Sequence, residues 1–392
     1  MIRSQSTSAV LALALLCLPL PAFADWQAGV DAFKAGDHDT AAAEFAAEVE
    51  RRPDWHGAHL MLGRALLGQK RSEQALASFQ AAARLAPEDP GVAILTAHTA
   101  AKLGKWTLAT QALEPVDASQ LPAKERVSYH QLTGQAALER GDRAAARVSF
   151  GRAAALAPSS HKLQYMLGYL ADKDRDLAAA ETHLTAAAKL APKDVKAASL
   201  LTQVLLARAV DADGDAVKKA CSKGVPQGRR LAKLDGSPDH LVLAGRLELC
   251  AGNLEEAGDF LDRAVDARGD DWSSRYYLGR ARALQGSWLE AESALAPALG
   301  LNLDAAGLRK VHGLLGFVNE GRQSFEAAIE HYGKAGDTER VAKAREALEI
   351  QEHNEEVARL EAEAADLAKQ LQDLEKEGQS AGQSLPLSRE PS

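Results

Sequence analysis

A repeat with a period of about 34 residues, a length typical of stacked helical units, runs through most of this chain of 392 residues. Each copy places two small residues, a large apolar residue and a proline in a fixed order, as in Gly29, Ala41, Phe45 and Pro53. The same order recurs one period later, and nine copies fit between positions 23 and 337. A chain that restates one short unit in this way is predicted to fold as a stack of like units, each packed mainly on its neighbours.

The repeated positions have a steric meaning. Small residues at the first position let two antiparallel helices approach closely, and a large apolar residue on the second helix fills the space between them. The first small position is occupied by Gly29, Gly63, Ala97, Gly134, Gly168, Thr202, Gly245, Gly279 and Gly316. The large apolar position is occupied by Phe45, Phe79, Leu113, Phe150, Leu184, Leu261, Leu295 and Tyr332. Proline is expected to end the second helix at Pro53, Pro87, Pro158, Pro192 and Pro226.

This order and period resemble the tetratricopeptide repeat family over roughly 80% of the chain. The resemblance implies an all-α fold, a right-handed superhelical solenoid of about nine helix–turn–helix repeats, followed here by a long C-terminal helix. It also implies a concave face, lined by the first helix of each repeat, that binds other molecules. Proteins of this family seldom catalyse reactions, so we expect no enzyme activity.

Residues 1–24 have the pattern of a cleaved secretory signal peptide. Arg3 precedes an apolar run at 9–20, and Ala22-Phe23-Ala24 forms a small-residue cleavage site. The run is too short to cross a bilayer, which needs about 20 apolar residues. We therefore expect a periplasmic protein that begins near Asp25 and has no membrane span.

Removal of the signal would leave two cysteines, Cys221 and Cys250. Two thiols in an oxidising compartment can form a disulfide between neighbouring repeats. They can equally be two separately buried small residues. Redox catalysis is not expected, because the sequence has no C-x-x-C motif.

Interruptions of the period suggest a division of the repeats. Three residues are added near 119–124 and three more near 301–307, and about nine follow a weak sixth repeat, near 228–236. We predict an N-terminal array over residues 25–226 (repeats one to six), an irregular insertion or hinge over 227–236, and a C-terminal array over 237–337 (repeats seven to nine).

After residue 337 the pattern becomes that of one long acidic helix, predicted over 338–377. Leu360, Leu367 and Leu374 recur every seven residues, interleaved with Ile350 and Val357, as in a coiled coil. The helix could pair in a homodimer, or its first half could cap the last repeat and leave the rest in solvent. Residues 378–392 are rich in Ser, Gly and Pro and are predicted to be disordered.

The family resemblance assigns the concave groove to fixed positions of the first helices. These positions hold Trp26, Phe33, Lys34, Leu60, Arg64, Leu67, Ile94, His98, Gln131, Gln135, Tyr165, Tyr169, Lys173, Arg246, Tyr276, Arg280 and Phe317. Tyr and Arg contribute most per residue in binding patches, so we favour two clusters, Tyr165 with Tyr169 and Arg246 with Tyr276 and Arg280. The alternative is that they only pack between first helices. Members that hold a partner's terminal carboxylate carry Lys and Asn where Trp26 and Val30 stand, so that mode is not expected.

No sequence pattern predicts a metal, a cofactor or nucleic acid. The acidic run at 211–215 departs twice from a calcium loop, and a turn with a helix cap explains it equally well. His56 and His59 lie three apart without a third ligand, while Trp106 and Trp288 follow turn glycines at one repeat position and are interpreted as fillers. The formal net charge of −8 argues against binding phosphates. No catalytic motif is found.

These observations favour a scaffold that binds one or more cell-envelope proteins, of identity unknown, in the concave groove. A component of an exopolysaccharide-secretion or cell-wall-synthesis complex that contacts glycan is one alternative, for which Tyr165, Tyr169 and Tyr276 would be stacking platforms. An assembly factor for pilus or motility machinery is another.

Overall fold

The computed structural model describes residues 26–210 and 215–383, with side chains described for 26–209 and 216–376. All regular structure in these ranges is helical, and none of the helices described there is long and apolar enough to cross a membrane. The chain divides into two compact units, Met1–Leu170 and Ala171–Ser392. The predicted signal peptide, 1–24, lies outside the described residues.

Nineteen α-helices occur in the described ranges, and the first eighteen form nine consecutive pairs. In chain order they are α1 Trp26–Ala35, α2 His38–Arg51, α3 His56–Gly68, α4 Ser72–Leu85, α5 Pro90–Lys102, α6 Trp106–Leu113, α7 Ala123–Glu139, α8 Arg143–Leu156, α9 His161–Lys173, α10 Leu177–Leu190, α11 Val195–Val210, α12 Asp215–Leu234, α13 Pro238–Ala251, α14 Leu254–Ala267, α15 Trp272–Leu284, α16 Trp288–Leu295, α17 Ala305–Gly321, α18 Phe325–Ala335 and α19 Thr338–Gln383. The prediction of an all-α fold with nine helical repeats and a long C-terminal helix is confirmed.

Turn chemistry fixes where the helices of a pair meet. Gly36 and Gly141 adopt left-handed φ angles of 82° and 78°, which glycine tolerates because it has no side chain. The next residues, Asp37 and Asp142, then accept a hydrogen bond from the backbone amide three residues on. An Asp at this position satisfies one of the free amides of the new helix and stabilises it by about 1 kcal/mol.

Within each unit, second helices pack on the first helix of their own pair and on the next first helix. In the N-terminal unit α2 packs on α1 and α3, and α4 packs on α3 and α5. In the C-terminal unit α12 packs on α11 and α13. First helices of successive pairs also touch, as α5 and α7 do in one unit and α13 and α15 in the other.

The predicted small and large positions meet inside the pairs. A Cβ atom added to Gly63 would lie 2.5 Å from Cε1 of Phe79, which is fully buried. The same apposition joins Gly29 to Phe45, Gly134 to Phe150, Gly245 to Leu261, Gly279 to Leu295 and Gly316 to Tyr332. The predicted register is confirmed at these six pairs.

Two predictions about this part of the chain are wrong. The second helix of the sixth pair does not end at Pro226, and the predicted irregular insertion over 227–236 is helical as far as Leu234. Helix α12 continues through Pro226 to Leu234, and only three residues separate it from α13. Proline removes one helical hydrogen bond, but Val225 and Leu231 bury apolar side chains on either side of it. The contacts of this buried face outweigh the lost bond. The two compact units meet at residues 170 and 171, which differs from the predicted boundary.

The other two interruptions have a common structure. Helices α6 and α16 have eight residues each, whereas most second helices have 14. A 3-10 turn follows each of them, at Ala118–Gln120 and Ala296–Gly300. The three residues added at each interruption therefore lie in the connection that follows a shortened second helix, in pairs three and eight.

Two further features are a disulfide bond between α12 and α13 and the long helix α19 after the last pair. Cys221 and Cys250 form a disulfide with their Cα atoms 5.7 Å apart, so the pairing foreseen as one of two alternatives is present. Val341 and Ala344 of α19 pack against α18, and residues 352–376 are exposed. The helix extends to Gln383, beyond the predicted end at 377, and residues 384–392 lie outside the described residues.

Candidate partner-binding grooves

A large cavity in the N-terminal unit lies across three successive first helices. It has a volume of about 840 Å³ and is lined mainly by α5, α7 and the first turns of α9. We call it groove one and define it by Ile94, His98, Trp106, Gln131 and Gln135. Four of these five residues are at positions that the sequence assigned to the concave face, so the predicted register places them together.

The lining of groove one is mostly apolar with a polar and basic rim. Leu132, Phe150 and Met166 contribute apolar surface, while His98 is exposed. Lys102 and Lys162 are exposed at its edges, and none of its lining residues, all of them described, is acidic. An apolar surface with a few polar groups suits a peptide segment that inserts apolar side chains and is oriented by hydrogen bonds.

A second cavity, in the C-terminal unit, is smaller and more basic. It has a volume of about 380 Å³ and brings together Tyr276, Arg280 and Phe317, all predicted groove residues. We call it groove two and define it by these three residues with Lys310 and Arg340. Burial raises the pKa of Tyr276, and the charge of Arg280 opposes that rise.

The two grooves use equivalent repeat positions. His98 in the third pair and Arg280 in the eighth occupy the same position of their repeats, and the same displacement along the chain relates Ile94 to Tyr276 and Gln135 to Phe317. Each groove also includes the first helix of a pair whose second helix is shortened to eight residues. Equivalent repeat positions therefore line two cavities of different chemistry, mostly apolar with a basic rim in groove one and basic and aromatic in groove two.

Arg246 does not join Tyr276 and Arg280. Its guanidinium carbon lies 4.8 Å from the centroid of the Tyr277 ring, a cation–π contact within the chain. The ring of Tyr276 in turn lies 5.2 Å from that of Tyr277. The predicted cluster is thus divided, with two of its members in groove two and Arg246 stacked beside it.

Several predicted groove residues near the N-terminus pack within the chain. The ring of Trp26 lies 4.4 Å from Trp55 and 5.1 Å from Phe45, and Phe33 contacts His38 edge-on. Arg64, by contrast, is exposed.

Tyr165 and Tyr169 are half-buried and engaged in contacts, and Tyr169 packs against the core around Phe150. Neither lines groove one or groove two.

In the described parts of the chain, no group of three or more His, Cys, Asp or Glu residues is arranged so that it could hold a metal ion. Nε2 of His59 instead lies 2.8 Å from the carbonyl oxygen of Pro53. The side chains of the acidic run at 211–215 lie outside the described residues.

Sequence reasoning missed several groove residues. Trp106, interpreted as a filler, lines groove one, whereas Trp288 does fill space, packing against Phe317 and Gly321. Lys310 and Arg340 of groove two were not foreseen. Lys310 could have been identified from the repeat register, because it occupies the position that Ser128 has in the fourth pair, and Ser128 lines groove one. Arg340 lies beyond the repeats and had no repeat position to identify it.

A family model described as tetratricopeptide repeat matches residues 27–90 and 132–195. Tetratricopeptide repeats are present in this chain. The matched segments are about a third of its length, and the helical pairs continue between and after them. A search of curated proteins finds no match.

Several solved structures are similar to part of this chain. MamA from Desulfovibrio magneticus RS-1 is 18% identical, with a TM-score of 0.39, covering 45% of this chain and 94% of that one. PilF of Pseudomonas aeruginosa is 16% identical, with a TM-score of 0.45, covering 55% and 92%. A tetratricopeptide repeat protein from Parabacteroides merdae is 12% identical, with a TM-score of 0.43, covering 66% and 98%.

Proposed function

We propose that this protein is a non-enzymatic scaffold of the bacterial cell envelope that binds a segment of a partner protein in groove one. The observation that carries the proposal is the cavity of about 840 Å³ across the first helices of repeats three to five. Its volume falls within the range typical of ligand pockets, roughly 300–1,000 Å³. Tetratricopeptide repeats are a family whose members bind protein partners, which supports the same function.

The backbone of groove one is preformed by close helix packing. Gly134 on α7 lies against Phe150, and Ala97 on α5 is fully buried. A partner that binds such a surface does not have to order the helices that carry it, so less of its binding energy is lost. We infer that the partner supplies an extended or helical segment with apolar side chains that reach Leu132 and Met166.

The proposed location rests on two features of the chain. Residues 1–24 have the pattern of a secretory signal. Cys221 and Cys250 form a disulfide, a bond that persists in oxidising compartments such as the periplasm. Fractionation of cells would test this proposal, because the mature protein should be released with periplasmic proteins and should migrate differently after reduction.

Site-directed crosslinking in cells tests the groove. A photoreactive residue replacing Gln135 should capture a partner, and the same partner should be lost from the variant His98→Ala, Gln131→Ala. The matched control is Gln111→Ala with Val148→Ala, two exposed residues on second helices of the same region. We expect recovery to fall about fivefold or more in the groove variant only. Equal recovery from both variants would contradict the proposal and favour a glycan ligand.

Helix α19 provides a second surface for the scaffold, because its heptad stripe is exposed. We propose that this stripe pairs with another helix, of a second copy or of another protein. The variant Leu360→Glu, Leu367→Glu should abolish pairing, and the native mass of the full chain, measured by sedimentation, would show whether a second copy is involved.

A further inference from the structure

The apolar stripe of α19 is large and unpartnered. Leu360, Leu367, Leu371 and Leu374 each expose half or more of their surface, at 51%, 64%, 61% and 65%. Together with the exposed Ile350 and Val357 they recur at coiled-coil spacing over residues 350–374, roughly 37 Å of helix. Exposed leucines so regularly placed are characteristic of a helix-pairing surface.

The residues beside the stripe carry one sign of charge. In this heptad register the flanking positions between 349 and 375 are Glu349, Asn354, Glu356, Glu361, Glu363, Ala368, Gln370 and Glu375. Five are acidic and none is basic, although Lys and Arg occur on the opposite side of the helix at Arg359, Lys369 and Lys376. Flanking positions are where charges of two paired helices meet, and they determine which partner is accepted.

We infer that the stripe of α19 binds a basic amphipathic helix of a different protein, with apolar residues on one face and Lys or Arg beside them. The inference rests on the proposed pairing role of α19 and names the chemistry of the partner. A parallel second copy would place Glu356 against the partner copy's Glu361, a repulsion repeated symmetrically on the other side. A helix with Lys at its flanking positions would face those glutamates with opposite charge.

Interactions within α19 do not remove this preference. Arg359 lies 2.7 Å from Glu356 and 3.9 Å from Glu363, but all three side chains are more than 45% exposed. Exposed pairs of this kind contribute little and are easily exchanged for new ones. Glu361 and Glu375 have no ion pair among the described side chains, so both are available to a basic partner.

The test uses the full mature protein and two synthetic helices of four heptads. Both helices carry Leu at the pairing positions, and their flanking residues are all Lys in one and all Glu in the other. We expect the Lys helix to bind at least tenfold more tightly in fluorescence anisotropy at low salt, with the difference shrinking as salt rises. The reversal variant Glu356→Lys, Glu361→Lys, Glu363→Lys should prefer the Glu helix and should pair with wild-type protein in sedimentation.

Control variants distinguish binding to the stripe from nonspecific hydrophobic binding and from binding in groove one. Leu360→Glu with Leu367→Glu should abolish binding of the Lys helix, while Leu289→Glu, at an equally exposed leucine outside the stripe, should not. A groove-one variant, His98→Ala with Gln131→Ala, should also bind the Lys helix normally. Equal binding of both helices, or a wild-type homodimer that requires Leu360 and resists the Lys helix, would overturn the inference and leave groove one untouched.

Discussion

Replacement of Gly63 by Ala tests the packing that organises the repeats. The added Cβ would lie 2.5 Å from Cε1, 2.7 Å from Cδ1 and 3.0 Å from Cζ of the Phe79 ring. Real Cβ atoms do not approach carbon so closely, and Phe79 is fully buried, so its ring has no open space to move into. The helices α3 and α4 must therefore separate or the ring must leave its preferred rotamer.

The expected magnitude is the difference of two opposing effects. Overpacking of a well-packed core costs about 1–3 kcal/mol. Ala in place of Gly inside a helix contributes about 1 kcal/mol of stability through backbone entropy. We therefore expect Gly63→Ala to lower the free energy of unfolding by about 1 kcal/mol, and by no more than about 2 kcal/mol, and Gly63→Leu to lower it much further.

Gly151 provides the matched control, because it also lies in a helix, α8, and a Cβ added there has nothing within 4 Å. Gly151→Ala should raise the free energy of unfolding by up to about 1 kcal/mol. Urea titrations followed by circular dichroism at neutral pH would compare the two variants. The double variant Gly63→Ala, Phe79→Leu should recover part of the loss. If Gly63→Ala is as stable as Gly151→Ala, the steric account of the repeat is refuted.

Three further outcomes are expected. Reduction of the Cys221–Cys250 disulfide, whose cysteines have a sequence separation of 29, should lower the free energy of unfolding by about 3 kcal/mol in urea titrations, and Cys221→Ser should remove the effect of the reductant. Burial lowers the pKa of both His312 and His331, whose Nδ1 atoms lie 3.0 Å apart, and the charge of Glu330 only partly opposes this, so the unfolded chain binds more protons. The urea midpoint should therefore fall as pH drops below about 6.5, and fall less in His331→Gln. For any partner captured through groove two, Arg280→Ala should weaken binding and reduce its dependence on salt, measured by titration at two ionic strengths.

The fold was predictable because steric pairing leaves a direct mark in the sequence. Gly63 precedes Phe79 by the same interval that separates Gly279 from Leu295. In both pairs a Cβ atom on the glycine would lie less than 3 Å from the large residue, so the recurring glycine identifies the pair from the sequence. Helix α12 escaped this reasoning because proline is a strong local signal, while the buried face that carries the helix through Pro226 becomes clear only in its packing.

The candidate site was less predictable, because the exposure of a groove position depends on residues from other repeats. Trp26 occupies a groove position, yet Trp55 and Phe45 lie against its ring. Arg246 similarly turns to Tyr277, whereas Arg280 remains exposed. The repeat register specifies the backbone position of a side chain, but the neighbouring residues determine whether that side chain is exposed and able to contact a partner.

Comparison of the two grooves shows which features of such a site come from the repeat and which come from individual side chains. In each groove the lining first helices stand on both sides of a second helix of eight residues and a 3-10 turn, so a shared departure from the regular repeat accompanies the cavity in both places. The lining then differs at equivalent positions, with His98 replaced by Arg280 and Ser128 by Lys310. Exchange of these two pairs of side chains should exchange the charge preference of the grooves without changing the backbone of either. His98, Arg280 and Lys310 are exposed and Ser128 is half-buried, and none of them belongs to the buried core. Such substitutions leave the packing of the helices in place, which is why one scaffold can present two chemically distinct surfaces.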